Sequence, residues 1–327
     1  MQRALYLATL GKGRVSPNPM VGAVIFADDR IIGEGFHRNY GGPHAEPNAV
    51  GAVKEADRGL LREATMYVTL EPCAHYGKTP PCAQLIIDTG IPRVVVATGD
   101  PFSKVCGKGI RMMEEAGVEV RIGLLGEESR RLNRHFFVSH TKGRPYVLLK
   151  WAQTKDGFMG ATDERLLISN PLSEVWMHRE RAGFDAIMVG VDTVIKDNPS
   201  LSCRLWPTRM AEERPVKVSF DSPRLPADSR LACSKPILKR ADETLAEFMA
   251  RLYSEFKITS LMVEGGRKTL ESFLDEELFD EIRIEVSPNE AGSGIMAPDV
   301  YSLIKTDVCR LTEVEDCREN RIYRFYK

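Results

Sequence analysis

The stretch Pro43-His44-Ala45-Glu46-Pro47 organises the first half of this chain, together with Glu71-Pro72-Cys73 and the later Cys82. These residues supply one imidazole, two thiols and one further carboxylate. A hydrolytic zinc site needs three protein ligands, an open position for water and a group that moves protons. We therefore predict that His44, Cys73 and Cys82 bind a zinc ion and that Glu46 is the catalytic proton carrier.

Pro47 indicates how the ligand and the carboxylate come to share one site. Successive helical residues are rotated by about 100°, so His44 and Glu46 would diverge inside a helix. Proline is acceptable in the first turn of a helix, where the amides have no helical partner. We therefore expect a helix from His44 to about Ala56. Its mostly small residues predict close packing on a sheet through one face, formed by Ala45, Ala49, Ala52, Val53 and Ala56.

The order of predicted elements indicates two α/β domains. Strands alternate with helices in both halves, which is typical of a layered α/β sheet. The stretch Thr141-Lys142-Gly143-Arg144-Pro145 is the best boundary, because a new apolar strand follows it from Tyr146 to Trp151. We predict a first domain over 1–143 and a second over 144–327, with β-type residues near 308–326 closing the second sheet. Within the first domain we also expect a helix from Cys82 to Thr89, opened by Pro80-Pro81, and a polar helix from Glu127 to about His140.

Bulk composition argues against several classes of protein. The 327 residues carry a formal net charge of −1, whereas a dedicated nucleic-acid-binding protein usually has a basic excess. No apolar run reaches the roughly 20 residues of a membrane helix. The first residues lack the basic-then-apolar pattern of a signal peptide, so we expect a cytoplasmic protein.

The His-x-Glu and Pro-Cys…Cys pattern resembles the zinc-dependent nucleoside and nucleobase deaminases, in which the glutamate is not a ligand. Most of those proteins have two residues between the cysteines, whereas eight separate Cys73 from Cys82. The insert closely resembles the bifunctional deaminase/reductases of riboflavin biosynthesis. The stretches that carry this resemblance are Ala74-His75-Tyr76-Gly77-Lys78-Thr79-Pro80-Pro81, Pro17-Asn18-Pro19-Met20-Val21-Gly22 and Asp100-Pro101…Gly107-Lys108-Gly109.

This resemblance implies a three-layer, cytidine-deaminase-like domain that acts on a phosphorylated pyrimidine. The implied reaction is hydrolytic deamination, by zinc-bound hydroxide, of 2,5-diamino-6-ribosylamino-4-pyrimidinone 5′-phosphate. The implied substrate-binding residues are Asn18, His75, Lys78 and Thr79. Their types agree with this substrate, since a flat polar ring needs directional hydrogen bonds and a phosphate needs a cation.

In the second half, Gly265-Gly266-Arg267-Lys268-Thr269 joins a predicted strand to a predicted helix. Amides at a helix N-terminus with two cations beside them suit a phosphate group, although a tight turn alone also explains the glycines. In context this half resembles the reductase of the same bifunctional family, whose fold is similar to dihydrofolate reductase. The matching stretches are Lys150-Trp151-Ala152, Ile168-Ser169-Asn170-Pro171, Val191-Asp192-Thr193-Val194, Asp197-Asn198-Pro199-Ser200-Leu201 and Asp221-Ser222.

The reductase resemblance implies that NADPH reduces the ribosylamino group to ribitylamino after deamination. The implied NADPH contacts are Ala152, Leu167, Thr193, Asp197, Ser222, Gly266, Arg267, Lys268, Thr269 and Leu270. The implied substrate contacts are Arg165, Arg181, Leu201, Arg204 and Glu264. Arginine suits the substrate phosphate because its planar fork makes bidentate contacts.

Three alternatives stay open from the residues alone. The second half departs from its family, with Leu167 where tryptophan is usual and a short stretch between Leu231 and Thr244, so a deaminase with a degenerate reductase-like domain is possible. An RNA-binding tRNA editor would need a basic face and stacking aromatics. A structural zinc knot would need a fourth ligand, for which His75 is the nearest candidate. We expect a homo-oligomer with a small-molecule substrate and no nucleic-acid or membrane partner.

Overall fold

The computed structural model consists of two compact units, Met1–Gly143 and Arg144–Lys327. It describes residues 1–75, 80–101, 107–161, 166–206 and 215–327. Within these ranges, no helix has both the length and the apolar character needed to cross a membrane. Predicted residues Lys78, Thr79 and Arg165 lie outside the described residues.

The first unit is a five-stranded sheet with helices on both faces. Its strands are β1 (Gly22–Ala27), β2 (Arg30–Phe36), β3 (Thr65–Val68), β4 (Arg93–Val96) and β5 (Glu119–Ile122). Its helices are α1 (Gln2–Thr9), α2 (Ala45–Gly51), α3 (Cys82–Thr89), α4 (Lys108–Glu115), α5 (Gly126–Leu132) and α6 (Arg134–Lys142), with a 3₁₀ helix at Glu55–Glu63. The strand order is β2-β1-β3-β4-β5, antiparallel from β2 to β3 and parallel from β3 to β5.

The alternation of side chains along β1 explains why this sheet has helices on both faces. Ala23 and Ile25 point into the main core, which also contains apolar residues of α2, α3 and α4. Val24 points to the opposite face and packs with Ala4 and Leu7 of α1. Successive residues of a strand face opposite sides, so a continuous apolar strand must be covered twice. The predicted three-layer α/β domain is confirmed.

The helix that carries the predicted site lies unusually close to the sheet. A Cβ atom added to Gly35 would lie 2.3 Å from the backbone nitrogen of Ala49, and one added to Gly33 would lie 2.5 Å from its carbonyl oxygen. Ala45 and Ala49 are fully buried at this contact. The small residues on both sides therefore fix the depth of α2, and with it the position of His44.

Two predictions about helix length in the first unit were wrong. The helix after His44 ends at Gly51 rather than Ala56, and Ala52 and Ala56 are exposed. The polar helix expected over 127–140 is broken into α5 and α6 at Asn133. At this break, the side chain of Asn133 accepts a hydrogen bond from the backbone nitrogen of Met20 over 2.8 Å and donates one to its carbonyl oxygen over 2.9 Å.

The second unit is built on an eight-stranded sheet. Its strands are β6 (Tyr146–Gln153), β8 (Ala186–Met188), β9 (Val216–Phe220), β10 (Ile237–Lys239), β11 (Ser260–Val263), β12 (Glu281–Val286), β14 (Arg310–Cys317) and β15 (Asn320–Tyr326), and β7 (Phe158–Gly160) pairs separately with β13 (Ile295–Met296). Its helices are α7 (Pro171–Arg181), α8 (Val191–Asp197), α9 (Arg230–Cys233), α10 (Leu245–Ser254), α11 (Arg267–Asp275) and α12 (Tyr301–Lys305). The order β10-β9-β8-β11-β6-β12 is parallel, and β15 and β14 close the sheet in antiparallel fashion as predicted.

Strand β12 of the second unit has one apolar and one charged face. Along β12, Ile282 and Ile284 belong to the main core. The alternate residues Glu281, Arg283 and Glu285 are also buried, on the opposite side. There Arg283 lies 3.0 Å from a carboxylate oxygen of Glu180 on α7. Buried charges need partners, so α7 is held on this face by ion pairs rather than by apolar packing alone.

The stretch between Leu231 and Thr244, which looked short of a strand, contains β10. Residues 237–239 pair in parallel with β9 and form the edge of the sheet. The sheet therefore keeps a strand at this edge, and the predicted α/β class of the second unit is confirmed.

Candidate functional site

The three predicted zinc ligands lie together in the first unit. Nδ1 of His44 lies 3.7 Å from Sγ of Cys73 and 3.4 Å from Sγ of Cys82, and all three donor atoms lie within 4.8 Å of one another. A tetrahedral zinc ion bonded to nitrogen and sulfur separates neighbouring donors by roughly 3.5–3.8 Å. Among the described residues the group contains no fourth ligand. Donor types and spacing therefore fit a zinc ion with one open position, rather than a closed structural knot.

The start of α3 favours the thiolate form of Cys73. The backbone nitrogen of Cys82, the first residue of α3, donates to Sγ of Cys73 over 3.3 Å. The Cys82 side chain and His44 also donate to this sulfur, and together they lower the pKa of Cys73. The same contact raises the pKa of Cys82 in the metal-free chain. A cation held by Cys73 and Cys82 would replace the shared proton, because the thiolate is the metal ligand.

Glu46 lies beside the ligands and is suited to proton transfer. His44 is the N-cap of α2, with extended backbone, and Glu46 is in the first turn, so the predicted helix start is confirmed. The Glu46 side chain is buried, and burial raises its pKa to about 7, although His44 acts in the opposite direction. A carboxyl group that titrates near neutral pH exchanges protons efficiently at that pH.

A small pocket of about 310 Å³ opens over these residues. Its lining contains Glu46, His44 and Cys73 and the predicted substrate residues Asn18 and His75. This volume suits a single-ring compound rather than a dinucleotide. Asn18 and His75 are therefore placed where a substrate ring would lie.

Sequence reasoning missed other residues of this pocket. His37, Glu71, Asp100, Phe136 and His140 also line it. The carboxylate of Glu71 accepts hydrogen bonds from the backbone nitrogens of Asp100, Gly107 and Gly109, at 3.0–3.2 Å. It thus ties the segment next to Cys73 to a distant loop. The Glu-Pro-Cys sequence was the available signal, since a carboxylate two residues before a metal ligand is close enough to hold the ligand's loop in place.

A much larger cavity, of about 1800 Å³, lies in the second unit. It is lined by residues that follow β8, β9 and β11, at the carboxyl ends of parallel strands, where open α/β sheets bind ligands. The predicted NADPH residues that line it are Ala152, Leu167, Thr193, Asp197, Ser222, Gly266, Arg267, Lys268 and Thr269, and the predicted substrate residues are Arg181, Leu201, Arg204 and Glu264. Leu270 is the exception, because it is fully buried in the core and does not line the cavity.

Close packing shapes the turn before α11, where a phosphate group is expected. The backbone nitrogen of Gly266 donates to Oγ1 of Thr193 over 3.0 Å. A Cβ atom on Gly190 would lie only 2.3 Å from Oγ1 of Thr269, and one on Gly265 would lie 2.7 Å from Cβ of Thr269. The glycines therefore allow α11 to start against the ends of β8 and β11. Glycine is needed at these positions because Thr269 lies so close to the backbone, and not only because a turn needs flexibility.

Arg181 and Glu264 form a buried, bidentate ion pair inside the cavity. Arg181 Nε lies 2.6 Å and Nη2 2.7 Å from the two carboxylate oxygens, and Nη1 donates to the carbonyl oxygen of Ser202 over 3.1 Å. Burial alone would raise the pKa of Glu264, but Arg181 and Lys150 lower it to about 2. Both residues line the cavity, yet most of the guanidinium is already bonded to the protein.

Lys150 was not singled out as a site residue. It is 9% exposed and lines the cavity, and burial lowers its pKa despite the charges of Glu264 and Glu285. A lysine within the otherwise apolar strand from Tyr146 to Trp151 was the signal that could have identified it.

Two family models match the chain. The model described as "Cytidine and deoxycytidylate deaminase zinc-binding region" matches residues 1–98, and that described as "RibD C-terminal domain" matches residues 145–321. Together with the ligand geometry and the cavity, these matches define the class as a zinc-dependent deaminase joined to an NADPH-dependent reductase.

Relatives of known function align with nearly the whole chain. The riboflavin biosynthesis protein RibD of Aquifex aeolicus is 39% identical over 99% of this chain and 97% of its own length. That of Bacillus amyloliquefaciens is 37% identical over 92% of this chain and 87% of its own length. Among solved structures, RibD of Acinetobacter baumannii has a TM-score of 0.88 at 33% identity, covering 99% of this chain and 97% of that one. The chain belongs to the RibD family of bifunctional deaminase/reductases of riboflavin biosynthesis.

Proposed function

We propose that Glu46, with zinc held by His44, Cys73 and Cys82, deaminates 2,5-diamino-6-ribosylamino-4-pyrimidinone 5′-phosphate, and that the second unit then reduces the ribosylamino group to ribitylamino with NADPH. The observation that carries the first step is the buried Glu46 carboxyl beside three donor atoms within 4.8 Å of one another. The proposal assigns the deaminase domain to residues 1–143 and the reductase domain to residues 144–327.

In the first step, Glu46 accepts a proton and then donates it again. A zinc ion held by His44, Cys73 and Cys82 would supply a Lewis acid that lowers the pKa of the attacking water. Glu46 accepts a proton from the attacking water and delivers it to the departing amino group, as its pKa of about 7 permits. Asn18 and His75 orient the ring, and Lys78 and Thr79 bind the ribosyl phosphate.

In the second step, the protein positions two ligands in one cavity. NADPH supplies the hydride. The turn from Gly266 to Thr269 and the residues Thr193 and Ser222 bind the cofactor, while Arg165 and Arg204 bind the substrate phosphate. The ion pair of Arg181 and Glu264 holds the wall of the cavity and presents a buried carboxylate to the reacting group.

Mass analysis of the substrate after incubation tests the proposal. With zinc-loaded protein alone, we expect replacement of one amino group by oxygen, with release of ammonia. With NADPH added, we expect the same change plus two hydrogens. If only the first change occurs in both samples, the chain is a deaminase with a degenerate reductase-like domain. If neither occurs, the assignment of this substrate is wrong.

We further propose that the chain acts in the cytoplasm as a homo-oligomer on small-molecule substrates, without a nucleic-acid or membrane partner. The net charge of −1 supports the absence of a nucleic-acid partner. Light scattering of the purified protein measures the oligomeric state, and a monomer at all concentrations would contradict this part.

A further inference from the structure

We propose that His37 is a positioning residue that fixes the carboxamide of Asn18 with its Oδ1 atom toward the deaminase pocket. The pocket then presents a hydrogen-bond acceptor to an N–H or amino group of the substrate. This inference deepens the proposed deamination and rests on it. The resemblance assigned Asn18 to the substrate, but no sequence signal assigned a role to His37.

The neighbours of His37 define its tautomer. Nδ1 of His37 lies 3.0 Å from the carbonyl oxygen of Pro43, which can only accept a hydrogen bond, so Nδ1 carries the proton. The side chain is 2% exposed, and no carboxylate forms an ion pair with it among the described residues. A buried charge without a partner is costly, so the ring is neutral. Its Nε2 is therefore unprotonated and acts as an acceptor.

This acceptor orients Asn18. Nε2 of His37 lies 3.2 Å from Nδ2 of Asn18. Only the amide nitrogen can donate to an unprotonated Nε2, so the reversed carboxamide would place two acceptors against each other. The Oδ1 atom of Asn18 forms no hydrogen bond within the described residues, and Asn18 lines the pocket next to Glu46. Oδ1 is thus left to accept from a ligand.

The orientation is anchored next to a zinc ligand. Pro43 directly precedes His44, and its carbonyl oxygen also accepts a hydrogen bond from Nδ2 of Asn48 over 3.3 Å. The His37 ring packs edge-on against the His44 ring, with centroids 5.5 Å apart. The imidazole of His37 therefore connects the backbone next to the metal ligand His44 with the side chain of Asn18, which is proposed to contact the substrate. The two hydrogen bonds of His37, to the carbonyl oxygen of Pro43 and from Nδ2 of Asn18, are called the lock below. A substrate with an acceptor in place of the N–H would face Oδ1 without a hydrogen bond, so the lock determines specificity.

Kinetics of zinc-loaded variants test the lock. His37→Leu removes both hydrogen bonds, and we expect KM for the pyrimidine to rise about tenfold or more. We expect kcat to change less than threefold, with one zinc per chain retained. His37→Gln offers one donor and one acceptor and should restore KM to within about threefold. Equal KM values for His37→Leu and wild type, or a loss confined to kcat, would overturn the proposal.

Asn48→Ala is the matched control, because it removes another donor to the same carbonyl oxygen and leaves Asn18 untouched. It should lower stability without raising KM. A rise in KM equal to that of His37→Leu would show that loss of support at Pro43 is the whole effect, and would overturn the proposal.

Direct observation of the tautomer separates the lock from the proposed function. The chain has six histidines, so ¹⁵N-histidine labelling of the zinc-loaded protein gives few signals, and His37→Gln identifies those of His37. We expect a protonated Nδ1 and an unprotonated Nε2 at neutral pH. A protonated Nε2 in an active wild-type protein would overturn the lock alone. Absence of ammonia release from the wild-type protein would instead overturn the proposed function.

Discussion

The pocket of the first unit and the cavity of the second unit use different means to bind related pyrimidines. The pocket is small, about 310 Å³, and its proposed chemistry depends on side chains of His44, Cys73, Cys82 and Glu46 that meet at the starts of two helices. The cavity is about 1800 Å³ and is lined by strand ends, by the turn at Gly265 and Gly266 and by one buried ion pair. Metal coordination and proton transfer need few atoms in fixed positions, whereas a dinucleotide needs a long surface.

This difference implies that the two halves tolerate change differently. In the pocket, each donor atom is irreplaceable, because zinc affinity depends on ligand type and on distances within a few tenths of an ångström. In the cavity, binding is distributed over many backbone and side-chain contacts, so single changes should cause graded losses. The experiments below test this contrast, starting with the largest expected effect.

Removing a thiolate should abolish one activity and spare the other. For Cys73→Ala or Cys82→Ala, we expect the zinc content to fall from one per chain to none and deamination to be lost completely. Reduction of the deaminated substrate by NADPH should continue. Elemental analysis and separate assays of the two steps measure this outcome. The control is Cys233→Ala, which changes an exposed cysteine of the second unit. Loss of both activities in Cys82→Ala would contradict the contrast.

Glu46→Gln should separate metal binding from proton transfer. The amide has nearly the same shape but cannot take a proton, so kcat for deamination should fall by about 10²–10⁴. Zinc content should be unchanged. Ammonia release and elemental analysis give the two readings, with Glu63→Gln at an exposed position as control. Full activity in Glu46→Gln would refute the assigned role.

Breaking the ion pair between Arg181 and Glu264 should mainly lower the stability of the second unit. Arg181→Ala leaves the carboxylate of Glu264 buried and unpaired, which costs about 3–5 kcal/mol in the unfolding free energy. The expected result is a lower urea midpoint for the second unit, and the double variant Arg181→Met with Glu264→Met should recover much of it. Arg310→Ala, which removes an exposed pair with Asp307, is the control and should leave the urea midpoint nearly unchanged. Equal midpoints for both variants would contradict this prediction.

Gly190→Ala should weaken NADPH binding without loss of the fold. The new Cβ would lie 2.3 Å from Oγ1 of Thr269, so the start of α11 must move. Overpacking of this kind costs about 1–3 kcal/mol, and we expect KM for NADPH to rise roughly tenfold to hundredfold. Deamination should be unaffected. Gly59→Ala, where the added atom meets nothing within 4 Å, is the control. An unchanged KM would show that the cofactor does not use this turn.

The smallest effect on activity that we expect is a difference in pH dependence between the two steps. Glu46 must be ionised to take a proton, and burial raises its pKa to about 7 in the metal-free chain, so kcat/KM for deamination should fall as the pH is lowered below 7. A bound cation favours the ionised form and shifts this limb to lower pH. Glu264, with a pKa of about 2, stays ionised over the same range and gives the reductase no such limb. Initial rates from pH 5 to 8 would show this, and identical acid limbs for both steps would contradict it.

Glu264 should also affect stability in acid. Its pKa in the folded chain, about 2, is below the ordinary value of 4.5. It therefore stabilises the second unit above pH 4.5, and this contribution is lost as the pH falls toward 2. Relative to the double variant Arg181→Met with Glu264→Met, the wild type should lose unfolding free energy as the pH falls through this range. A constant difference would mean that Glu264 is not the group responsible.

The fold and the metal site followed from patterns that are local in sequence. Apolar strands with alternating helices indicate layered sheets, because only such layers bury both faces of a strand. The helix start at His44 followed from Pro47, and α3 begins at Cys82 as predicted after Pro80-Pro81. The lengths of helices were less predictable, since α2 ends where the chain turns into a 3₁₀ helix and α5 ends where Asn133 bonds to Met20.

The zinc ligands, the two α/β domains and the family could all be predicted from the sequence alone. Each of them depends on residue types at fixed spacing. Only the tertiary structure decided which polar groups face each other. The bond between His37 and Asn18 joins residues 19 apart, and the pair of Arg181 and Glu264 joins residues 83 apart. No spacing rule predicts such pairs, since they depend on how sheets and helices pack. At Asp156, Thr154 donates to a carboxylate that also accepts from Ala291 and Gly292, 135 and 136 residues away. The buried state that raises the pKa of Glu46 and lowers that of Glu264 has the same origin, because burial and partners exist only in the folded chain.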